Sequence, residues 1–219
     1  SNKIEIYPKD TQSNPDITLQ SALELKQLGV NLIIGPIFHK NLVYLDEVED
    51  VTFLSFTNKT LDLPKNIIST GINSVSQLNT IKKFIELNEI KKTIFLIPNL
   101  NYDLEIKQGI RKSKIKPFKQ YYYDIEPTKL TKKIEKITNY EVRKQNLIDE
   151  INRLEKSEDP NKERKIKNLK KRYSIGNVNF DSIIIADFDK SLKSVVTSLL
   201  YTDVSPKNKY FITFNQWFD

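Results

Sequence analysis

The stretch Leu28–Thr60 reads LGVNLIIGPIFHKNLVYLDEVEDVTFLSFTNKT and contains the clearest pattern in the chain. It predicts a helix end, an apolar strand, a Gly-Pro turn, a short helix, a second apolar strand and a polar loop. In a doubly wound α/β sheet, the loops at the carboxyl ends of parallel strands face the binding crevice. Two such loops occur here, Gly35–His39 and Ser55–Asn58, so this stretch predicts one side of a ligand cleft.

Strands and helices alternate along most of the remaining sequence. The apolar run Asn31–Ile37 is typical of a strand buried on both faces. Alternation of this kind predicts parallel sheets joined by right-handed crossovers. We place a boundary near residues 88–91, which gives a first lobe at 1–90 and a second lobe at 91–219. The predicted strands are Lys3–Tyr7, Asn31–Ile37, Val51–Phe56, Asn66–Thr70, Lys92–Pro98, Phe118–Tyr123, Asp181–Ala186 and Tyr210–Phe214, and the predicted helices are Thr18–Leu28, Lys40–Leu45, Ser74–Leu87, Tyr102–Ser113, Thr128–Thr138 and Lys190–Tyr201.

A segment without a strand pattern, 140–173, interrupts the second lobe. Two narrow apolar stripes and the helix-start signature Asp159-Pro160 predict two antiparallel helices joined at Lys156–Asn161. Residues 129–173 carry 15 Lys and Arg against 8 Asp and Glu, which equals the whole net charge of +7. A solvated helical hairpin, a docking arm for a partner and a contact with an anionic surface all fit this pattern. We predict an appendage that contacts a partner and lies outside the lobe core.

Composition limits the function classes. The apolar content is 38%, the mean hydropathy is −0.48, and no apolar run reaches the roughly 20 residues of a membrane helix. The chain has no Cys, which excludes disulfides, cysteine-zinc sites and cysteine catalysis within these residues. It also has no Met, so we expect these residues to be a fragment of a longer protein.

Catalytic and metal-binding patterns are sparse. The single His39 is either an ordinary loop residue or part of the cleft lining, and neither a nucleophile motif nor a glycine-rich phosphate loop occurs. Asp187 and Asp189 follow a strand, where they suggest acid/base chemistry, Mg²⁺ binding or, as we favour, a helix cap. The aromatic residues Tyr121–Tyr123, Trp217 and Phe218 fit packing better than base stacking. We therefore predict no enzyme activity, no metal, no cofactor and no nucleic-acid partner.

Several motifs resemble a known superfamily. Ile34-Gly35-Pro36 after an apolar strand, with Asp10 upstream and Leu54-Ser55 downstream, is similar to the first lobe of type I periplasmic binding proteins. The run FDSIIIAD at Phe180–Asp187, with Leu199-Leu200-Tyr201 and Gln216-Trp217, resembles the penicillin-binding-protein activator (LppC, or LpoA-like) family. The charged stretch around Tyr140 and Arg143 is also similar to alphaproteobacterial members of that family. In members of the family a further strand and helix precede the part that corresponds to residue 1.

This resemblance implies a two-lobe α/β fold of the periplasmic-binding-protein type I class, with two doubly wound parallel sheets and a helical hairpin insertion. The implied function is a non-catalytic regulator that activates a peptidoglycan synthase by contact, in the periplasm, on an upstream outer-membrane lipid anchor. The alternative is a solute-binding receptor of an ABC transporter for amino acids or similar solutes. A third, weaker class is an enzyme that uses Asp187 and Asp189. A small molecule or muropeptide is the expected cleft ligand, and the expected ligand-binding residues are Phe38, His39, Ser55, Thr57, Asn58, Asn101, Tyr102 and Asp187.

Overall fold

A computed structural model describes residues 4–100 and 103–214. These residues form two compact units, 4–78 and 79–214. The domain boundary near residues 88–91 stays a prediction. The strands are β1 (Leu32–Ile34), β2 (Thr52–Ser55), β3 (Ile67–Ser69), β4 (Thr93–Pro98), β5 (Lys119–Tyr123), β6 (Ser182–Ile185) and β7 (Tyr210–Thr213). The α-helices are α1 (Pro15–Gln27), α2 (Ser74–Leu87), α3 (Asp103–Ser113), α4 (Pro127–Ile137), α5 (Tyr140–Glu155), α6 (Lys162–Leu169) and α7 (Asp189–Tyr201), and short 3₁₀ turns lie at His39–Leu42 and Leu45–Glu47.

The first unit contains a three-stranded parallel sheet in the order β1-β2-β3. One face is covered, because Phe53 and Ile67 are buried and Ile33 packs beside them. The covering residues come largely from α1 and the 3₁₀ segment, where Ala22, Leu42, Leu45 and Val48 are also buried. The predicted parallel arrangement is therefore confirmed.

The opposite face of this sheet is open. Ile34, Leu54 and Ile68 lie side by side in register across the three strands, and Ile34 is 68% exposed while Ile68 is 53% exposed. No strand among residues 4–100 and 103–214 pairs with the outer edge of β1. The expectation that Asn31–Ile37 is buried on both faces is therefore wrong for β1.

The predicted strand at Lys3–Tyr7 is also wrong, as far as its described residues 4–7 are concerned. This segment pairs with no strand, and its Ile4 and Ile6 side chains are 88% and 83% exposed. An isolated extended segment has no ladder hydrogen bonds to offset the entropy of ordering it. Alternation of apolar residues therefore indicates a strand only where a neighbouring strand is available.

Helix α1 starts three residues before the predicted start at Thr18. The side-chain oxygen of Asn14 accepts hydrogen bonds from the backbone N–H groups of Asp16, at 2.9 Å, and Ile17, at 3.2 Å. Pro15 occupies the first helical position. A backbone N–H at this position would make no hydrogen bond within the helix, so Pro, which lacks it, is well tolerated there. The dipeptide Asn14-Pro15 was thus a start signal that hydrophobic periodicity alone did not reveal.

The second unit contains a four-stranded parallel sheet in the order β5-β4-β6-β7. The two central strands are buried along their whole length, as their continuous apolar sequences require. Helices α4 and α7 contact each other on one side of this sheet. The core there consists of Ile94, Leu96, Tyr123, Leu130, Ile134, Phe180, Ile183, Ile185, Val195, Leu199 and Val204.

The predicted helical pair between Tyr140 and Tyr173 is present as α5 and α6, which pack on each other. Its base belongs to the core of the second unit. Arg143 is only 5% exposed, and its guanidinium donates to the carbonyl oxygens of Thr202, at 2.7 Å, and Gly176, at 3.1 Å. The expectation that the whole hairpin lies outside the lobe core is therefore wrong for the first turns of α5.

Candidate functional site

The two predicted loops of the first unit lie together at the carboxyl ends of β1 and β2. Ser55, fully buried at the end of β2, donates from its hydroxyl to the carbonyl oxygen of Pro36 at 2.7 Å. The same hydroxyl oxygen accepts the backbone N–H of Thr57 at 3.2 Å. The Ser55 side chain therefore connects the two loops and has its donor engaged inside the protein.

Thr57 is also buried and turned inward. Its hydroxyl oxygen accepts the backbone N–H of Lys59 at 3.2 Å, and its carbonyl oxygen accepts the hydroxyl of Ser69 at 2.6 Å. These contacts shape the loop from within. Both hydroxyl oxygens thus accept a hydrogen bond within the unit, and the Ser55 hydroxyl also donates one.

Gly71 allows this loop to pack closely. A Cβ atom at position 71 would lie 2.4 Å from the carbonyl oxygens of Phe56 and Thr57, and both atoms belong to the backbone. We expect Gly71→Ala to shift the loop and to lower the free energy of unfolding by about 1–3 kcal/mol, the usual cost of overpacking. Urea denaturation measures this loss. Ile72→Ala is the control, because Ile72 is exposed, and an equal loss in both variants would contradict the packing argument.

The remaining predicted residues of this unit are more open. Phe38 is exposed and His39 is half-buried. Asn58 is buried, and its side-chain oxygen has no hydrogen-bond partner among the described residues. A buried carbonyl without a partner is uncommon in proteins, so Asn58 is the residue of this loop pair with unused polar capacity.

A cavity of about 790 Å³ lies in the first unit, and its lining includes Gly35, Pro36 and Ile37 of the first loop. Its wall includes the extended segment Ile4–Lys9, helix α1 and the outer edge of β1. This volume falls within the range of small-molecule sites. Unpaired backbone of β1 borders the cavity, and residues 4–9 of its wall pair with no strand.

In the second unit, Asp187 follows β6 and is buried. One carboxylate oxygen accepts the hydroxyl of Tyr123, at the end of β5, at 2.5 Å. The other accepts the backbone N–H of Phe188, at 2.8 Å, and the hydroxyl of Ser191, at 2.5 Å. Asp187 therefore joins β5, β6 and the first turn of α7 by hydrogen bonds.

The expected helix cap is wrong in detail. The N-cap position of α7 is Phe188, which makes no side-chain capping bond, and Asp187 lies one residue before it. Asp189 is exposed on the first turn of the helix. Asp187 thus supports the start of α7 through the N–H of Phe188 and the hydroxyl of Ser191, and a ligand-binding role for it stays a prediction.

Tyr123 and Ser191 were not predicted as functional residues. Asp187 and Ser191 are four positions apart across the start of a helix, and residues with this spacing lie on the same helix face. The sequence alone could therefore have linked Ser191 to Asp187. Tyr123 lies 64 positions from Asp187, and only the strand order brings them together. The predicted ligand residues Asn101 and Tyr102 lie outside the described residues, as do Trp217 and Phe218.

The described part of the chain contains no cluster of three or more metal-binding side chains. No helix within residues 4–100 and 103–214 has the length and apolar character needed to cross a bilayer. The arrangements at Ser55, Thr57 and Asp187 consist of side chains bonded to the protein itself.

Comparisons with known proteins establish the fold. No protein-family profile matches the sequence, and no curated protein matches it. Solved structures do match. The C-domain of LpoA from Haemophilus influenzae, a regulator of PBP1A, is 12% identical with a TM-score of 0.56, over 94% of this chain and 53% of that one.

An ABC transporter substrate-binding protein from Desulfitobacterium hafniense is 10% identical with a TM-score of 0.60, over 97% of this chain and 55% of that one. Full-length LpoA matches with a TM-score of 0.55, and the chain spans 31% of its length. The chain thus covers from about a third to about half of these proteins. It has the α/β fold of type I periplasmic binding proteins, with two parallel sheets, as predicted.

Proposed function

We propose that this protein is a non-catalytic regulator that activates a peptidoglycan synthase, a penicillin-binding protein, through direct contact. The fold is shared with LpoA and with substrate-binding proteins of ABC transporters, at identities too low to decide between them. The proposal therefore rests on the first unit's loops. We infer a periplasmic location, with attachment to the outer membrane through a lipid anchor outside these residues.

The observation that carries the proposal is the burial of Ser55 and Thr57, with the Ser55 hydroxyl bonded inside the unit. A receptor that binds a solute carboxylate needs donors that point at the ligand and are free to bind it. The Ser55 hydroxyl instead donates to the Pro36 carbonyl oxygen, and both residues are buried. A site of this kind favours a role in protein contact over the capture of free amino acids.

The second candidate is a solute-binding receptor, and Asn58 is the observation in its favour. Its buried side-chain oxygen has no partner among the described residues and would accept a hydrogen bond from an ammonium or amide group of a ligand. In this second function, the residues that we propose to bind a small molecule or muropeptide are Phe38, His39, Ser55, Thr57, Asn58, Asn101, Tyr102 and Asp187.

The two functions predict different measurements. We expect the full-length protein to raise the glycan-polymerising or cross-linking rate of its purified synthase several-fold, and to give no heat of binding with free amino acids in titration calorimetry. Muropeptides are titrated in parallel, with Asn58→Ala as the matched variant. Binding of an amino acid that Asn58→Ala abolishes, with no effect on the synthase, would contradict the regulator and support the receptor.

A further inference from the structure

The segment that contains α6 concentrates positive charge. Residues 162–172 carry seven Lys and Arg against one Glu. The part of the chain outside residues 129–173 has equal numbers of basic and acidic residues, 20 of each. We use the term basic surface for five exposed cations of this segment: Arg164, Lys167, Lys170, Lys171 and Arg172.

The cations of the basic surface are not neutralised by carboxylates. Within the described residues, the ion pairs of the hairpin are Arg153 with Glu150, at 2.7 Å, and Lys165 with Asp159. Neither pair includes a member of the basic surface. An uncompensated cationic surface attracts acidic groups over roughly one Debye length, about 10 Å at 0.1 M salt.

The protein holds the basic surface in a fixed position. On one side, the ammonium of Lys162 donates to the carbonyl oxygen of Ser157 at 3.1 Å, which closes the turn between α5 and α6. On the other side, the carboxylate of Asp203 accepts the backbone N–H groups of Tyr173, at 2.8 Å, and Ser174, at 2.5 Å. Backbone that is anchored at both ends has less conformational entropy to lose on binding, which favours specific association.

The base of the hairpin, where α5 begins and the segment after α6 ends, also packs against α7. The rings of Tyr140 and Tyr173 flank Tyr201 of α7 with centroid distances of 5.0 and 5.5 Å. Arg143 lies beside them and donates to Thr202 and Gly176. Burial lowers the pKa of Arg143, an effect that the nearby Asp203 opposes and Arg172 reinforces. Arg143 therefore acts as an internal connection, whereas the basic surface faces outward.

The absence of an exposed apolar stripe and of aromatic side chains on α6 indicates what kind of partner the basic surface binds. Its apolar residues Ile166 and Leu169 are half-buried, so the helix has no exposed apolar stripe to enter a lipid interface. Residues 156–172 contain no aromatic side chain on which bases could stack. We propose that the basic surface is the docking surface for an acidic protein surface, namely that of the peptidoglycan synthase. This inference rests on the proposed function.

A charge reversal tests the docking surface. Arg164 and Lys167 lie on the side of α6 opposite Ile166 and Leu169, and the exposed Lys171 lies two residues beyond the end of the helix. The variant Arg164→Glu/Lys167→Glu/Lys171→Glu reverses the charge at these three positions. The control Lys83→Glu/Lys112→Glu/Lys116→Glu makes the same change in net charge at three exposed lysines elsewhere in the second unit. Circular dichroism checks that both variants fold.

Binding of both variants to the purified synthase ectodomain is measured by surface plasmon resonance. We use about 0.01 M and about 1 M salt, where the Debye lengths are about 30 Å and 3 Å. At low salt we expect the α6 variant to associate at least about tenfold more slowly than the unmodified protein, and the control less than about threefold. The difference between the variants should shrink at high salt.

The outcomes separate the two proposals. If the unmodified protein binds the synthase and the α6 variant binds equally well at low salt, the docking surface is wrong and the regulator stands. If the unmodified protein does not bind the synthase, the proposed function fails and this inference fails with it. Vesicles that contain phosphatidylglycerol are a further arm. Vesicle binding that the α6 variant loses, while its synthase binding is unchanged, would overturn the protein partner in favour of lipid.

Discussion

Replacing Arg143 with Ala is expected to lower the free energy of unfolding by about 3 kcal/mol, because a buried cation makes two hydrogen bonds that no other side chain can replace. These bonds join α5 to the carbonyl oxygens of Thr202 and Gly176, which lie on two other segments of the second unit. For a protein of this size, such a loss corresponds to a decrease in Tm of about 6–12 °C. Scanning calorimetry and urea denaturation measure it.

The control lies on the same helix. Arg153 forms an exposed ion pair with Glu150 at 2.7 Å, and exposed pairs contribute at most about 1 kcal/mol. Arg153→Ala should therefore change Tm little, although it removes the same side chain. If both substitutions have equally small effects, the hydrogen bonds of Arg143 do not stabilise the base of the hairpin.

The second large effect is expected from Asp187→Ala, which leaves the hydroxyls of Tyr123 and Ser191 and the N–H of Phe188 without their shared acceptor. Tyr123 is buried, whereas Phe188 and Ser191 are half-buried and the Ser191 hydroxyl also donates to the carbonyl oxygen of Phe188 at 2.9 Å. Since each hydrogen bond to a charged group contributes about 1.5–3 kcal/mol, we expect a total loss of about 3 kcal/mol. Tyr123→Phe removes only one of these bonds and should cost about 1 kcal/mol. Urea denaturation of both single variants and the double variant measures the coupling between them.

Asp189→Asn provides the matched control, since Asp189 is exposed and lies two residues further along the chain. It should leave stability nearly unchanged.

Any enzymatic role for Asp187 is tested on the same samples with a peptidoglycan fragment. Hydrolysis by the unmodified protein that a folded Asp187→Ala variant loses would overturn the structural role and support the enzyme class.

Sequence patterns correctly predicted the elements whose apolar residues match the neighbours that these elements have in the fold. Helix α2 has its predicted bounds, Ser74–Leu87, because its apolar spacing ends at polar residues on both sides. The strands β4 and β6 were predicted within one residue at each end, since their continuous apolar runs suit the centre of a parallel sheet. The segment 4–7 has an equally clear alternation but no partner strand, and pairing partners cannot be read from local sequence.

The site residues were predicted less completely, for a different reason. Loops at strand ends can be located from the order of elements, and this placed Ser55 and Thr57 on the loop after β2. The direction of a hydroxyl hydrogen bond depends on the backbone of a neighbouring loop, here the carbonyl oxygen of Pro36. Likewise, the contact of Asp187 with Tyr123 depends on the order β5-β4-β6, which alternation of elements alone does not determine.

The unpaired edge of β1 affects how any self-association of these residues should be interpreted. An exposed edge beside an apolar sheet face is a template on which another chain can add a strand. Ile34, Leu54 and Ile68 form such a face in register. We therefore expect backbone pairing at β1 to be one route to dimers or fibres of these residues. An oligomer should be interpreted as regulatory only if it still forms when a Pro substitution in β1 blocks this backbone pairing.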